Sequence, residues 1–146
     1  MNTYLQVRAA GYTLLVDSRQ IRDVMVNQDG NAVTECPDRR VWRGRTLPTV
    51  DLPEALGSTR APRPMAVVLE EENGQGAIIL YVDGAGPMLR FEDTAFRRLP
   101  PLPSAVGRTF DALLVAGDGQ AGMLRVRRGA AFTLLSGAAA PEARSR

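Results

Sequence analysis

The chain has 146 residues, of which 45% are hydrophobic and 23% charged, a composition typical of one globular domain with an apolar core. Its longest apolar runs are far too short to span a bilayer, and residues 1–4 lack the basic and apolar regions of a signal peptide. Cys36 is the only cysteine, so no disulfide can form within the chain. We therefore expect a cytoplasmic protein without direct membrane insertion.

The basic residues are all arginine: the chain has 18 of them, no lysine and no histidine, and a formal net charge of only +2. They are scattered, with short pairs at 39–40, 97–98 and 127–128, whereas a nucleic-acid-binding surface more often shows a concentrated basic face. The pattern favours a solvated surface of mixed charge. A small barrel that binds nucleic acid through its arginines is the alternative.

Short alternating segments dominate the first half of the chain. Apolar and polar residues alternate in the manner of half-buried strands, and glycine, proline and asparagine separate them. We predict strands over 4–9, 12–16, 21–26 and 46–51, helical turns over 18–20 and 52–57, and a loop over 27–38. Pro48 cannot donate to a ladder, so it should lie at an edge or a bulge.

The second half continues the same pattern of short strands and frequent turns. We predict strands over 65–69, 76–83, 88–91, 96–99, 110–116 and 122–126, a closing helix over 128–135, and a flexible tail over 137–146. The segment 76–83 is the most apolar and should be the most buried, and residues 84–87 should break this strand. This pattern indicates a single all-β domain over 1–136, either a barrel or a sandwich.

The residue types required by common catalytic sites are missing. Without histidine and lysine the chain has no imidazole base, no usual zinc site, no Schiff-base lysine and no P-loop. Cys36 lies near arginines that favour a thiolate, but we interpret it as a plain surface thiol. Four aspartates stand at strand ends or turns, where capping roles are more common than acid–base catalysis: Asp17, Asp23, Asp51 and Asp83. We predict no enzyme activity, no cofactor and no metal.

Trp42 and Arg43 form the one candidate binding centre that composition alone suggests. Tryptophan and arginine are enriched where protein interfaces concentrate their binding energy. The alternative for Trp42 is a place in the core of a barrel.

The segment 42–52, Trp-Arg-Gly-Arg-Thr-Leu-Pro-Thr-Val-Asp-Leu, resembles the signature of the CheW-like chemotaxis coupling proteins. In that signature Arg-Gly precedes two or three apolar residues, Pro-Val and Asp-Leu. Residues 21–24, Ile-Arg-Asp-Val, are similar to the family's Val-x-Glu-Ile, and 76–83 is similar to its Gly-Leu-x-Val-Asp run. With the opening hairpin over 4–16, the proline loop at 99–103 and the final hairpin over 110–126, the likeness covers roughly residues 3–135.

The resemblance implies two intertwined five-stranded barrels of the SH3/OB-like kind, with strands exchanged between them. It implies a non-catalytic adaptor that couples the signalling tip of a chemoreceptor to the regulatory domain of a CheA-type histidine kinase. Carried over by position, Arg43 and Gly44 match the Arg-Gly motif, and Ile21, Asp23 and Val24 match a strand that faces these partners. We add Trp42, as Arg43's neighbour, to the predicted partner-binding residues.

The segment 38–42 departs from the family pattern. Gly-Val-Ile-Asn-Leu usually precedes Arg-Gly, whereas this chain has Asp38-Arg39-Arg40-Val41-Trp42. Two arginines therefore stand where apolar residues are expected, in the region that the resemblance places nearest the receptor groove.

Overall fold

The structure is a computed structural model, and it describes residues 1–26, 39–59, 61–70, 76–99, 109–114, 122–127 and 130. These residues form eleven strands, one short helix and two 3-10 turns, and the strands belong to two sheets. The strands are β1 (Asn2–Ala9), β2 (Tyr12–Asp17), β3 (Ile21–Val26), β4 (Arg39–Trp42), β5 (Arg45–Asp51), β6 (Met65–Glu70), β7 (Ala77–Val82), β8 (Gly84–Phe91), β9 (Phe96–Arg98), β10 (Phe110–Leu114) and β11 (Met123–Val126). The helix is α1 (Leu52–Ala55).

The first sheet has six strands in the order β8-β1-β2-β11-β10-β9, and the second has five in the order β3-β6-β7-β5-β4. The opening hairpin therefore shares a sheet with the last four strands, while β3 to β7 form the other sheet. The chain crosses between sheets after β2 and after β7. Each sheet curls into a small barrel, which confirms the predicted all-β fold of two intertwined barrels. The first barrel has one strand more than the five predicted, because residues 96–98 pair with β10.

Strand β7 is the most buried strand because its side chains belong to two apolar clusters, one on each face of the second sheet. Alternate side chains of β6 and β7 point to opposite faces of the second sheet. Ala66, Val68, Ile79 and Tyr81 fill the core of the second barrel with Trp42. Val67, Leu69, Ile78, Leu80 and Val82 pack instead against the first sheet, in a central cluster. All six residues of β7 are buried, as its unbroken apolar sequence predicts.

The third cluster is the core of the first barrel. It is built around Tyr4, Leu15 and Leu114, and Phe91 and Phe96 pack against it. The Tyr4 and Phe96 rings lie edge to face with centroids 5.4 Å apart, a geometry that aromatic pairs prefer.

Pro48 lies where β5 changes its partner. Residues 45–48 pair with β4, and residues 49–51 pair in parallel with β7. Neither half of the strand is hydrogen-bonded on both sides, so a residue without an N–H is tolerated there. The strand ends at Asp51, whose carboxylate accepts from the backbone N–H of Glu54 and caps α1.

The strand predicted over 76–83 ends at Val82, but residues 84–87 do not separate it from the next strand as predicted, because they belong to β8. The pairing of β1 with β8 shifts register between Leu5 and Val7, so Gly86 and Pro87 lie in a bulge. Because β8 is an edge strand, the missing N–H of Pro87 leaves no ladder bond unmade. The glycines and proline therefore bend an edge strand without ending it.

A buried arginine joins segments near the passage from β7 to β8. The Arg63 side chain is only 5% exposed, and its Nε donates to Asp51 Oδ1 over 2.9 Å and its Nη1 to Asp83 Oδ1 over 3.2 Å. Its Nη2 donates to the carbonyl of Thr59. Asp83 also accepts from the backbone N–H of Ala10 in the β1–β2 turn. One guanidinium thus holds together the end of β5, the loop before β6 and the crossover between the barrels.

The remaining strand predictions are confirmed within the described residues, and both helical turns form. Strand β4 was not predicted; its two arginines hide the alternation. The predicted loop at 27–38 with Cys36, the proline loop from 100, most of the predicted helix over 128–135 and the tail over 137–146 lie outside the described residues.

Candidate functional site

A tight turn presents the Arg43-Gly44 pair between β4 and β5. Trp42 and Arg45 are paired across the hairpin, so the loop contains only these two residues. Their φ angles are +48° and +77°, as a type I′ turn requires. Glycine adopts this conformation freely, whereas an arginine in it is strained by about 1–2 kcal/mol. Ala10 and Gly11 in the β1–β2 turn have similar φ angles of +53° and +82°, so the two hairpins share this turn conformation.

Trp42 holds both Arg43 and β3. The Arg43 guanidinium lies over the Trp42 ring, 4.8 Å from its centroid, in a cation–π contact. The indole N–H donates to Asp23 Oδ2 over 2.9 Å. Trp42 itself is only 8% exposed and belongs to the core of the second barrel. Of the two predictions for Trp42, an exposed binding centre or a core residue, the second is therefore correct.

The hydrogen bond between Trp42 and Asp23 joins the two edge strands of the second sheet. β3 and β4 lie at opposite ends of the strand order, so a contact between them shows that the sheet has curled round on itself. The other oxygen of Asp23, Oδ1, accepts from the backbone N–H of Val24. Asp23 therefore connects the barrel rim to the exposed side of β3.

Alternation along β3 divides the predicted residues between two faces. Arg22, Val24 and Val26 are exposed, while Ile21, Asp23 and Met25 are half-buried. Ile21 packs against the central cluster, away from the turn. The structure thus connects five of the six predicted partner-binding residues by contacts or chain neighbourhood: Asp23, Val24, Trp42, Arg43 and Gly44. Ile21 is held apart from them.

Glu70 at the end of β6 ties two further arginines to this rim. Its carboxylate lies 3.4 Å from Arg22 Nε and 3.6 Å from Arg45 Nη1. Both arginine side chains are about half exposed, so these pairs contribute little stability, but they fix the direction of two cations. Sequence reasoning missed both residues, because a single arginine between strand residues carries no local signal.

A second feature is a polar cavity of about 310 Å³ at the first barrel. Its charged groups are largely paired with one another: Arg19 with Asp17 at 2.8 Å and Arg125 with Asp111 at 2.8 Å. Burial alone would lower the pKa of the Arg125 guanidinium, but its hydrogen bonds to Asp111 and Tyr4 outweigh burial and raise that pKa. Arg125 therefore stays a cation, and its charge is satisfied inside the barrel.

The four aspartates singled out in the sequence have structural contacts. Asp17 caps the 3-10 turn by accepting from the N–H of Arg19, and Asp51 caps α1. Asp83 shares Arg63 with Asp51, and Asp23 accepts from Trp42. Within the described ranges no group of three histidine, cysteine or acidic residues lies close enough to hold a metal ion. No helix in the same part of the chain is long and apolar enough to cross a bilayer.

Comparison with known proteins identifies the family to which the chain belongs. A family model, the CheW-like domain, matches residues 3–128. The chain belongs to the CheW-like domain family. The family comprises non-catalytic scaffold or adaptor domains of chemotaxis signal transduction. A search of curated proteins found no match.

The CheW-like fold is also found in solved structures. The scaffolding protein TtCheW from Thermoanaerobacter tengcongensis superimposes with a TM-score of 0.67, over 86% of this chain and 88% of that one, at 15% sequence identity. At this identity the likeness shows the fold alone.

Proposed function

We propose that this chain is a cytoplasmic, non-catalytic adaptor that couples a chemoreceptor signalling tip to the regulatory domain of a CheA-type histidine kinase. The observation that supports the proposal most directly is the family match over residues 3–128. The site geometry agrees with it: an arginine in a strained two-residue turn stands on a barrel rim beside exposed aliphatic side chains.

We assign the partner contact to Arg43, Gly44, Asp23, Val24 and Trp42. Arg43 supplies a guanidinium fork that can bind carboxylates or carbonyls of a partner. Gly44 permits the turn that projects it, and the Trp42 ring beneath restricts its motion. Val24 supplies apolar area, being 37% exposed. Asp23 acts indirectly, since its carboxylate holds Trp42 and the Val24 backbone in place.

Ile21 was also predicted to bind a partner, and its half-buried position limits how it does so. It packs against the central cluster, next to a register shift in the pairing of β3 with β6. We propose that Ile21 anchors β3 and so positions Val24, which carries the contact.

The proposal is tested by measuring binding of the purified chain to two fragments from the same genome, a receptor-tip helical hairpin and a CheA-type regulatory domain. We expect both to bind, and Arg43→Ala to weaken at least one of them. Arg90→Ala is the matched control, because Arg90 is an exposed arginine on β8 of the other barrel. Binding to neither fragment would contradict the adaptor function.

A further inference from the structure

The outward sides of β3 and β4 together form an exposed surface that is both apolar and basic. β3 contributes Arg22, Val24 and Val26, β4 contributes Arg39 and Val41, and the turn and β5 add Arg43 and Arg45; we call these seven residues the valine–arginine face. Val41 is 65% exposed and Val26 54%. Exposed aliphatic side chains on neighbouring edge strands are typical of interaction surfaces.

The two strands form one surface because the rim contact brings them together. The Trp42 Nε1 to Asp23 Oδ2 distance of 2.9 Å fixes one end of β4 against β3. Both side chains point into the barrel or along its rim, so the alternate residues on each strand face outward. Val24 directly follows Asp23 in the sequence, and Val41 directly precedes Trp42. The contact between Asp23 and Trp42 therefore also brings the two strands' exposed valines to the same rim.

The charge on the valine–arginine face is not balanced by the described part of the chain. One carboxylate, that of Glu70, forms ion pairs with both Arg22 and Arg45. The carboxylate of Asp23 already accepts from the Trp42 indole and the Val24 backbone. Arg39 and Arg43 are exposed and form no ion pair with any described carboxylate.

The second arginine of β4, Arg40, does not belong to the valine–arginine face. Arg40 lies on the side of β4 opposite Arg39 and is half-buried. Its Nη1 is buried and has no hydrogen-bond partner among the residues that the structure describes. A buried donor without an acceptor costs about 1–3 kcal/mol. Of the two arginines of β4 that depart from the family pattern, Arg39 alone faces outward.

We propose that the valine–arginine face docks an acidic protein segment, in which carboxylates flank an apolar ridge. The carboxylates would pair with Arg39 and Arg43, and the ridge would cover the exposed valines. This inference rests on the proposed adaptor function and takes the segment to be the partner's receptor tip. It adds the chemistry that the tip must present: acidic residues opposite Arg39, which stands where the family has an apolar residue, and opposite Arg43.

The pattern of side chains favours protein over nucleic acid. Between the arginines stand aliphatic valines, whereas binding of single strands depends on aromatic faces that stack with bases. The one tryptophan nearby is 8% exposed, and Arg43 lies over its ring. Arginine forks with adjacent aliphatic area match carboxylates and leucine-like side chains.

Charge reversal tests the assignment. The receptor-tip hairpin is titrated with wild type, Arg39→Glu and Arg97→Glu, which makes the same charge change at an exposed arginine on β9. We expect Arg39→Glu to raise the Kd about tenfold or more, Arg97→Glu to change it less than about twofold, and added salt to weaken wild-type binding. Val41→Glu, at a position where the side chain is 65% exposed, should weaken binding similarly.

The outcomes separate this inference from the adaptor function. Equal effects of Arg39→Glu and Arg97→Glu on a tip that does bind would overturn the valine–arginine face and leave the adaptor function intact. If Arg39→Glu weakened binding to the kinase domain and not to the tip, the kinase domain would be the occupant of this face. If it weakened binding to a single-stranded oligonucleotide instead, nucleic acid would be the occupant. Binding of wild type to neither protein fragment would overturn both. Circular dichroism of each variant excludes unfolding as the cause.

Discussion

The Trp42 indole N–H donates to Asp23 Oδ2 over 2.9 Å, and this single bond links strands that lie at opposite ends of the second sheet's order. The exposed guanidinium of Arg43 lies over the same indole ring, 4.8 Å from its centroid. Barrel closure and presentation of Arg43 therefore depend on one side chain.

Trp42→Phe should lower the free energy of unfolding by about 1–3 kcal/mol, because it keeps an aromatic ring but leaves Asp23 Oδ2 without its donor. Asp23→Asn is the control: its amide oxygen can still accept from the indole, so we expect a smaller loss. Urea denaturation of the three proteins measures both. A Trp42→Phe variant as stable as wild type would show that the bond does not close the barrel.

Arg43→Asn should weaken partner binding without lowering the stability of the fold. Asparagine tolerates φ = +48° better than arginine and is favoured in type I′ turns, so thermal stability should be unchanged or raised, by at most about 1 kcal/mol. Partner binding should fall, since the guanidinium is lost. Gly44→Ala provides the comparison: nothing lies within 4 Å of its added Cβ, so backbone strain alone should destabilise it by about 1 kcal/mol. A marked loss of stability in Arg43→Asn would indicate a mainly structural arginine.

Arg63→Met should be among the most destabilising arginine substitutions. It removes both ion pairs of a side chain that is 5% exposed and leaves Asp51, at 9%, as an uncompensated buried carboxylate, at a cost of about 3–5 kcal/mol. Arg22→Met makes the same change where the side chain is 46% exposed, and it should cost less than about 1 kcal/mol. Chemical denaturation of both variants decides; similar losses would contradict a special role for Arg63.

Ile78→Ala and Ile79→Ala should each cost about 2–5 kcal/mol, although the two side chains point into different clusters. Because adjacent residues of one strand support both barrels, each variant should unfold in a single transition. Trp42 fluorescence reports the second barrel and far-ultraviolet circular dichroism reports both. Transition midpoints that differ between the two signals would show that the barrels unfold separately.

Much of the fold could be predicted because alternation and turn residues are local signals. The strand over 77–82, the Asp51 cap and the Gly57 end of the helical turn all follow from a few neighbouring residues. The strand at 84–87 was not predicted, because glycine and proline have the same local effect in a bulge as in a loop. Only pairing with β1, distant in sequence, distinguishes the two.

The candidate site could be predicted where a sequence motif marks it, but not where it depends on contacts between residues that are distant in sequence. Arg43-Gly44 stands in the sequence itself, but the burial of Trp42 depends on the curl of the whole sheet. Arg63 lies between prolines in a segment that reads as a loop, and no local pattern indicates that two carboxylates 12 and 20 positions away surround it.

Strand β7 has no side that faces water, since all six of its residues are buried. Any displacement of this strand must therefore be felt in both barrels at once. A partner pressing on one rim would transmit mechanical force to the other barrel through close-packed side chains, without a hinge between rigid halves. Under the proposed adaptor function, such a molecule would act as a stiff link that keeps its partners at a fixed spacing.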